Sequence, residues 1–164
     1  MSAPAYLLVK FDDKQKLVAA VDAINGNDKI VNWDAIDGHY NLLLKLVSDD
    51  SKIFDFVKSL DGFEAMSSCT IEKDNHTVYD LDDAFTYSYL FIETDNGSKD
   101  AVYKTIADNS AGTFCSPTTG YYHLVAQVKA ETFDQLDRLV KTDIKQIDGI
   151  LRYKQDYVIF LDRI

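Results

Sequence analysis

The segment GHYNLL at residues 38–43 decides the fold, because the related segment GYYHLV follows at residues 120–125. Both begin with glycine, carry Tyr at the third position and a polar residue at the fourth, and continue into an apolar run. The same offset, 82 residues (120 − 38), also aligns Leu8 with Leu90, Asp13 with Asp95, Ala19 with Ala101, Ile24 with Ile106 and Asn27 with Asn109. Later in the chain Asp148-Gly149 corresponds to Asp61-Gly62, so the second copy is five residues longer there. The pattern indicates an internal duplication.

The first copy predicts the element order βαββαβ. Residues 5–11 are an almost continuous apolar run of strand length, typical of a central strand covered on both faces. Apolar residues then recur at helical spacing over residues 14–24 and stop at Asn25-Gly26. A strand at 30–36, a turn at Asp37-Gly38, a strand at 40–47, a helix from Ser51 to Asp61-Gly62 and a strand at 66–71 complete the copy. This order is that of a ferredoxin-like unit.

The second copy repeats this order. It predicts strands at 87–93, 113–116, 121–129 and from 150 to about 161, a turn at 117–120, and helices at 99–107 and between Phe133 and Ile147. Acidic residues are frequent between the copies, which indicates a surface linker. We therefore predict a first repeat at residues 1–73, an acidic linker at 74–85 and a second repeat at 86–164.

The duplication also predicts how the sheets are covered. In a βαββαβ unit both helices lie on one face of the antiparallel sheet, so the other face needs a cover. The predicted fold class is therefore α+β, with two ferredoxin-like repeats whose sheets pack face to face as an intramolecular dimeric α/β barrel. Alternation along the hairpin strands places these semi-polar residues toward the central space: His39, Asn41, Lys45, Tyr121, His123 and Gln127. Of these, Lys45 and Gln127 are predicted to lie in the barrel interior.

The composition excludes several classes of protein. The chain has 164 residues, 46% of them hydrophobic and 12% aromatic, which is enough for a packed core and unlike a disordered protein. Its 17 basic and 27 acidic residues give a net charge of −10, which opposes binding to nucleic acid or to an anionic membrane. We find no secretion signal and no apolar run of about 20 residues, and expect a cytoplasmic protein. Cys69 and Cys115 lie far apart, without a C-x-x-C pattern, and are expected to be buried thiols.

With these residues in view, each copy resembles the effector-binding domain of the leucine-responsive regulator (Lrp/AsnC) family. The resemblance rests on the first strand and on the Gly-x-x-Asp-Leu-Leu-like turn, in which Asn41 and His123 replace the usual Asp. It implies a domain that dimerises through its sheet, assembles into larger rings and binds amino acids or similar metabolites near the turn. The helix-turn-helix of that family does not precede the first strand here. The implied ligand-binding residues are Gly38, His39, Tyr40, Asn41, Gly120, Tyr121, Tyr122 and His123.

These turn residues also have a purely structural interpretation. The glycines would supply a positive φ, and Asn41 and His123 would close the hairpin through local hydrogen bonds. His76 and Asp74 lie in the linker, and no spacing of histidines or carboxylates predicts a metal site. No nucleophile-elbow motif is present.

Three functions remain open at this stage. We favour a non-catalytic, regulatory protein that binds a small-molecule effector, has no cofactor and no metal, and does not bind DNA itself. The second is a small α/β-barrel enzyme of the monooxygenase type, in which Trp33, His39, Asn41 and His123 would polarise a phenolic substrate or hold haem. The third is an oligomerisation or protein-partner-binding module, because exposed edge strands invite pairing with other chains.

Overall fold

The computed structural model describes residues 3–73 and 81–161. The first repeat consists of β1 (Ala5–Phe11), α1 (Lys14–Asn25), β2 (Ile30–Ile36), β3 (Leu42–Leu46), α2 (Ser51–Lys58) and β4 (Phe63–Ile71). The second consists of β5 (Thr86–Thr94), α3 (Lys99–Ala107), β6 (Gly112–Gly120), β7 (Leu124–Ala130), α4 (Phe133–Leu139), a π-helical turn (Val140–Ile144) and β8 (Ile150–Ile159). The predicted α+β fold class, with two ferredoxin-like βαββαβ repeats, is confirmed.

All strand pairs within each repeat are antiparallel. In the first repeat β1 lies between β3 and β4, and β2 pairs with β3. In the second repeat β5 lies between β7 and β8, and β6 pairs with β7. The two first strands, β1 and β5, are therefore central and almost fully buried, as their continuous apolar sequence predicts.

Equivalent hydrogen bonds confirm the duplication. The backbone N–H of Asn41 donates to Val9 O at 3.0 Å, and that of His123 donates to Ile92 O at 2.9 Å. Asn41 and His123 are thus equivalent with an offset of 82, whereas Val9 and Ile92 are equivalent with an offset of 83. The single predicted offset is consequently wrong in the first strand, where Leu7 and not Leu8 corresponds to Leu90.

The reason for this shift lies in the first helix of each repeat. The helix α3 has 9 residues and α1 has 12, while the loop that precedes α3 is longer than the loop before α1. The longer loop adds two residues to the second copy, and the shorter helix removes three. The offset therefore falls from 83 to 82, and it is 82 from Asn27 and Asn109 onward. Both of these asparagines accept a backbone N–H, from Ile30 and Gly112 respectively.

The Asp-Gly pairs that end the second helical segments have a specific conformational role. Gly62 has a φ of 86° and Gly149 a φ of 101°, a region that favours glycine. Their carbonyl groups accept N–H bonds from Asp12 and Asp95, each at 2.9 Å. A Cβ atom on Gly149 would lie 2.5 Å from the Cβ atom of Ser98. Glycine is therefore required at this close approach.

Each repeat has its own hydrophobic core between the sheet and its helices. In the first repeat the core includes Leu7, Val9, Leu42 and Leu44, and in the second it includes the residues Leu90, Ile92, Leu124, Ala126, Val140 and Ile144. Side-chain caps explain where three helices begin: Asp13, Asp50 and Thr132 accept the backbone N–H of Lys16, Lys52 and Gln135. The opposite faces of the sheets are also buried, including Lys45 at 5% exposure and Gln127 at 3%.

Several boundaries differ from the sequence predictions. The strand β3 begins at Leu42 and not at residue 40, and β6 continues to Gly120, through the segment predicted as a turn. Thr118 explains the longer β6, because its N–H donates to His123 O and its hydroxyl donates to Tyr122 O, both at 2.8 Å. The last helix is α-helical only to Leu139 and continues as a π-helical turn. The predicted linker lies largely outside the described residues, since 74–80 are not among them.

The described residues form two compact units. One comprises the chain up to Ile71 together with its end from Ile159, and the other comprises Glu72–Val158. In the first unit Leu161 packs on the hydrophobic core. In the second unit Glu72 accepts a bond from Lys99 Nζ at 2.6 Å. None of the helices in the described residues has the length and apolar composition that a membrane span requires.

Candidate functional site

Asn41 and His123 both bind the backbone of the first strand in their own repeat. The Asn41 side chain accepts the N–H of Phe11 and donates to Phe11 O, both at 3.0 Å. His123 Nδ1 accepts the N–H of Thr94 at 2.9 Å, so the proton of the neutral ring is on Nε2. These bonds match the structural interpretation of the turn residues. A ligand-binding role of the two side chains stays a prediction.

The remaining turn residues of the first repeat are Gly38, His39 and Tyr40. His39 is exposed, and its ring contacts Tyr40 edge to face at a centroid distance of 5.0 Å. Gly120 has a φ of 125°, whereas Gly38 is not among the glycines with positive φ. The expectation that both glycines supply this conformation is therefore wrong for Gly38, because the connection between β2 and β3 is longer than a tight hairpin turn.

Other predicted residues lie on different faces of their sheets. Trp33 pairs with Leu44 on the helix side of the first sheet and donates from Nε1 to Asn25 Oδ1 at 2.8 Å. Gln127 is buried on the opposite face of the second sheet, where its Oε1 accepts the hydroxyl of Thr113 at 2.6 Å. Tyr121 is 62% exposed, so it does not line a buried interior.

A pocket of about 150 Å³ in the second repeat brings chemically useful side chains together. Its lining residues come from β5, from the turn before β7 and from β8: Phe91, Glu93, Tyr121, Tyr122, Arg152, Tyr153 and Lys154. The register of β5 and β8 pairs Phe91 with Lys154 and Glu93 with Arg152. Of the predicted ligand-binding residues, Tyr121 and Tyr122 line this pocket.

Arg152 and Glu93 form a two-point ion pair at the edge of the pocket. Arg152 Nε donates to Glu93 Oε2, and Nη2 donates to Oε1 at 3.3 Å. The Glu93 side chain is 17% exposed and that of Arg152 is 73% exposed. The hydrogen bond to Glu93, followed by the charge interactions with Glu93 and Tyr121, raises the pKa of Arg152 above its usual value. Arg152 is therefore a cation that is paired with Glu93.

Lys154 supplies a second cation on the same strand. Its Nζ lies 3.2 Å from Asp156 Oδ2, and the Asp156 side chain is only 4% exposed. The same Nζ lies 5.7 Å from the centroid of the Phe91 ring. The ammonium group is thus held between a buried carboxylate and an aromatic face.

Aromatic rings complete the pocket. The centroids of Phe91 and Tyr122 are 5.3 Å apart, and those of Tyr121 and Tyr122 are 4.9 Å apart. Two cations next to a group of rings can bind a ligand that carries carboxylate groups and also has a flat aromatic surface.

The sequence analysis missed Glu93, Arg152 and Lys154. Glu93 and Arg152 are 59 residues apart in the chain, and only the pairing of β5 with β8 brings them together. One signal was available, because basic residues at alternate positions of a strand, Arg152 and Lys154, share a face in a protein that is otherwise acidic.

The equivalent position in the first repeat has different chemistry. The pairs Glu93–Arg152 and Phe91–Lys154 correspond there to Lys10–Ala65 and Leu8–Ser67. Lys10 forms an ion pair with Glu64 at 3.3 Å, and the two cations of β8 have no counterpart on β4. The pocket chemistry is therefore specific to the second repeat.

The buried thiols offer no comparable reactive site. Burial raises the pKa of Cys115 to about 12, which keeps the thiol protonated and weakly nucleophilic at neutral pH. Within residues 3–73 and 81–161, no three His, Cys, Asp or Glu side chains are grouped as metal ligation requires.

No protein-family model matches the chain, and no curated protein matches it significantly. Among solved structures, the siroheme decarboxylase NirDL is similar with a TM-score of 0.79 and 11% identity, covering 96% of this chain and 71% of that chain. Its complex with an iron-uroporphyrin III analogue is similar with a TM-score of 0.78 and 12% identity. A candidate monooxygenase from Fusobacterium nucleatum has a TM-score of 0.54 and 13% identity, over 98% of this chain and 93% of that one.

The structure of Escherichia coli AsnC is also similar, with 16% identity over 53% of this chain and 62% of that chain. Its TM-score of 0.46 is too low to support an argument about function. The ferredoxin-like domain that the Lrp/AsnC resemblance implies is nevertheless present in both repeats. Effector binding and assembly into rings stay predictions.

The comparison with NirDL corrects one expectation. We expected a non-catalytic protein, but NirDL, whose fold is similar over 96% of this chain, is an enzyme. The turn motif on which the expectation rested includes Tyr121 and Tyr122 of the second-repeat pocket but not Glu93, Arg152 or Lys154.

Proposed function

We propose that the chain is an enzyme that binds a carboxylate-bearing aromatic macrocycle at the second-repeat pocket and removes a carboxyl group from it. The observation that carries this proposal is the presence of two cations, Arg152 and Lys154, beside the rings of Phe91, Tyr121 and Tyr122. Arg152 and Lys154 lie in a chain whose net charge is −10, and each is paired with a carboxylate, that of Glu93 or of Asp156. NirDL, a siroheme decarboxylase, suggests the class of substrate and of reaction.

The pocket assigns different tasks to its side chains. A volume of about 150 Å³ accepts one carboxylate-bearing edge of such a ligand and not the whole macrocycle. Arg152 and Lys154 bind carboxylates, and the exposed ring of Tyr121 contacts the flat surface that remains outside. Arginine is well suited to this task because its planar guanidinium group binds a carboxylate through two parallel hydrogen bonds.

Decarboxylation requires no oxidant in this scheme. The bond between carbon and the carboxylate group breaks, CO₂ leaves, and the electron pair stays on carbon, which then takes up a proton. The proton-bearing groups among the lining residues are the Lys154 ammonium group, the Arg152 guanidinium group and the hydroxyl groups of Tyr121, Tyr122 and Tyr153.

A monooxygenase is the second candidate, since the fold similarity to the Fusobacterium protein covers 98% of this chain. The decarboxylase is favoured because three residues expected to serve a monooxygenase are exposed or bound elsewhere within their own repeat. Trp33 is on the helix side of its sheet, His39 is exposed, and His123 binds the backbone of Thr94.

The proposal is tested by titration with iron uroporphyrin III, followed by absorbance in the Soret region. We expect saturable binding by the wild type and a dissociation constant about 10-fold or more higher for Arg152→Ala, because a charge-assisted carboxylate bond is lost. Lys10→Ala is the matched control, since Lys10 is a cation of the first repeat at the position that corresponds to Glu93, and it should bind like the wild type. Equal affinity of the wild type and Arg152→Ala would refute the assignment of the pocket.

Turnover is measured separately by mass spectrometry of the macrocycle, which loses carboxyl groups one at a time if the protein is a decarboxylase. Oxygen consumption with a phenolic substrate, without loss of CO₂ from the macrocycle, would favour the monooxygenase instead.

A further inference from the structure

We propose that Glu93 is a positioning residue that directs the free edge of the Arg152 guanidinium group toward the ligand carboxylate. This inference rests on the proposed function of the second-repeat pocket. It concerns a side chain that has the same charge sign as the ligand, so its role is not evident from charge alone.

The geometry of the ion pair supports this role. Glu93 accepts from Nε and Nη2, the side edge of the guanidinium group. A guanidinium group has five N–H donors, so this bond leaves the outer edge, with Nη1, available for a second carboxylate. The exposed fractions of the two side chains agree with one edge binding Glu93 and the other facing a ligand. Glu93 is largely buried, while 73% of the Arg152 side chain is exposed.

Without Glu93, Arg152 would have to be ordered by the ligand itself. An exposed arginine on a strand has considerable rotamer freedom, and binding must overcome the corresponding entropy. A buried carboxylate that fixes the side chain beforehand removes part of this cost. Lys154 has an analogous partner in Asp156, so both cations of the pocket are held by a carboxylate from their own sheet.

Glu93 also repels the ligand carboxylate, because both groups are negatively charged, and this repulsion weakens binding. If repulsion dominated, neutralising Glu93 would tighten binding. The experiment therefore compares Glu93→Gln, which keeps the side-chain volume but removes the charge, with the wild type in the iron uroporphyrin III titration. We expect the dissociation constant to increase about threefold to tenfold, as for loss of an orienting ion pair.

Two controls separate positioning from a general structural effect. Glu64→Gln removes the carboxylate that pairs with Lys10 in the first repeat, and it should leave binding unchanged. In the Arg152→Ala background, Glu93→Gln should cause no further loss of affinity, because the side chain that it orients is absent. Tighter binding by Glu93→Gln, or additive losses in the double variant, would overturn the inference.

A measurement without ligand keeps the two proposals distinguishable. The Arg152 Nε–H resonance, observed by ¹⁵N nuclear magnetic resonance, should be distinct in the wild type and move to the position of free arginine in Glu93→Gln. An unchanged resonance would contradict the positioning role even if the macrocycle does not bind. If Arg152→Ala loses affinity as expected but Glu93→Gln binds like the wild type, the proposed function stands. Only the positioning role of Glu93 is then excluded.

Discussion

Asn41 and His123 bind the same backbone position of the first strand in the two copies, but with different side-chain groups. Asn41 closes the end of β1 with two hydrogen bonds to Phe11, one as acceptor and one as donor. His123 accepts the equivalent N–H, that of Thr94, through Nδ1 and also contacts the Thr94 hydroxyl at 3.2 Å. An aspartate could accept the N–H but could not donate to the carbonyl group of Phe11. The amide is therefore the residue type that satisfies both backbone groups.

The Asn41→Ala substitution should lower the free energy of unfolding by about 1–3 kcal/mol, because two partly buried backbone groups lose their partners. Chemical denaturation measures this change. Asn27→Ala is the control, since Asn27 Oδ1 accepts from Lys29 N in an exposed turn and should cost less. Equal losses in the two variants would show that the contact with β1 has no special importance.

At the level of elements, the π-helical turn distinguishes the second repeat from the first. The Lys145 N–H donates to Val140 O at 2.9 Å, five residues back, and both Val140 and Ile144 are buried. When the backbone hydrogen bonds change from a spacing of four residues to one of five, a carbonyl group is left without its usual N–H partner. The Thr142 hydroxyl donates to Arg138 O at 2.8 Å, and we expect this bond to compensate for the missing N–H. The turn accommodates extra residues while the apolar stripe stays on the core.

The Thr142→Val substitution should reduce the free energy of unfolding by about 0.5–1.5 kcal/mol, the net value of one hydrogen bond. Thr105→Val is a matched control, because the Thr105 hydroxyl makes the same type of bond to Ala101 O at 2.9 Å in the regular helix α3. We expect a smaller loss there, since a regular helix already provides an N–H for that carbonyl group. Thermal unfolding of both variants compares the two effects, and a larger loss for Thr105→Val would argue against the compensating role of Thr142.

Across the whole molecule, the two repeats differ in the side chains at equivalent positions while they keep one fold. Both retain the strand order, the turn hydrogen bonds and the glycines at equivalent positions. Only the second repeat has Glu93, Arg152 and Lys154, where the first has Lys10, Ala65 and Ser67. The divergence implies that one copy carries the proposed activity and the other contributes the same architecture without the binding groups.

One consequence is a stoichiometry of one macrocycle per chain. A titration with iron uroporphyrin III at protein concentrations well above the dissociation constant should reach its end point at one equivalent, because a single repeat has the paired cations. Binding of two equivalents, with half of the sites retained in Arg152→Ala, would show that the first repeat also binds and that the divergence is not functional.

The sequence alone determined the duplication, the order of elements and the apolar faces of the helices, because these depend on local periodicity and on turn residues such as Asp61-Gly62 and Asp148-Gly149. It also indicated that Asn41 and His123 could act through local hydrogen bonds. Tertiary structure decided which side chains share a pocket. Glu93 and Arg152 meet through the register of β5 and β8, and no local pattern specifies pairing between positions so far apart in the chain. For the same physical reason, the one-residue shift in β1 and the π-helical turn became visible only in the hydrogen bonds.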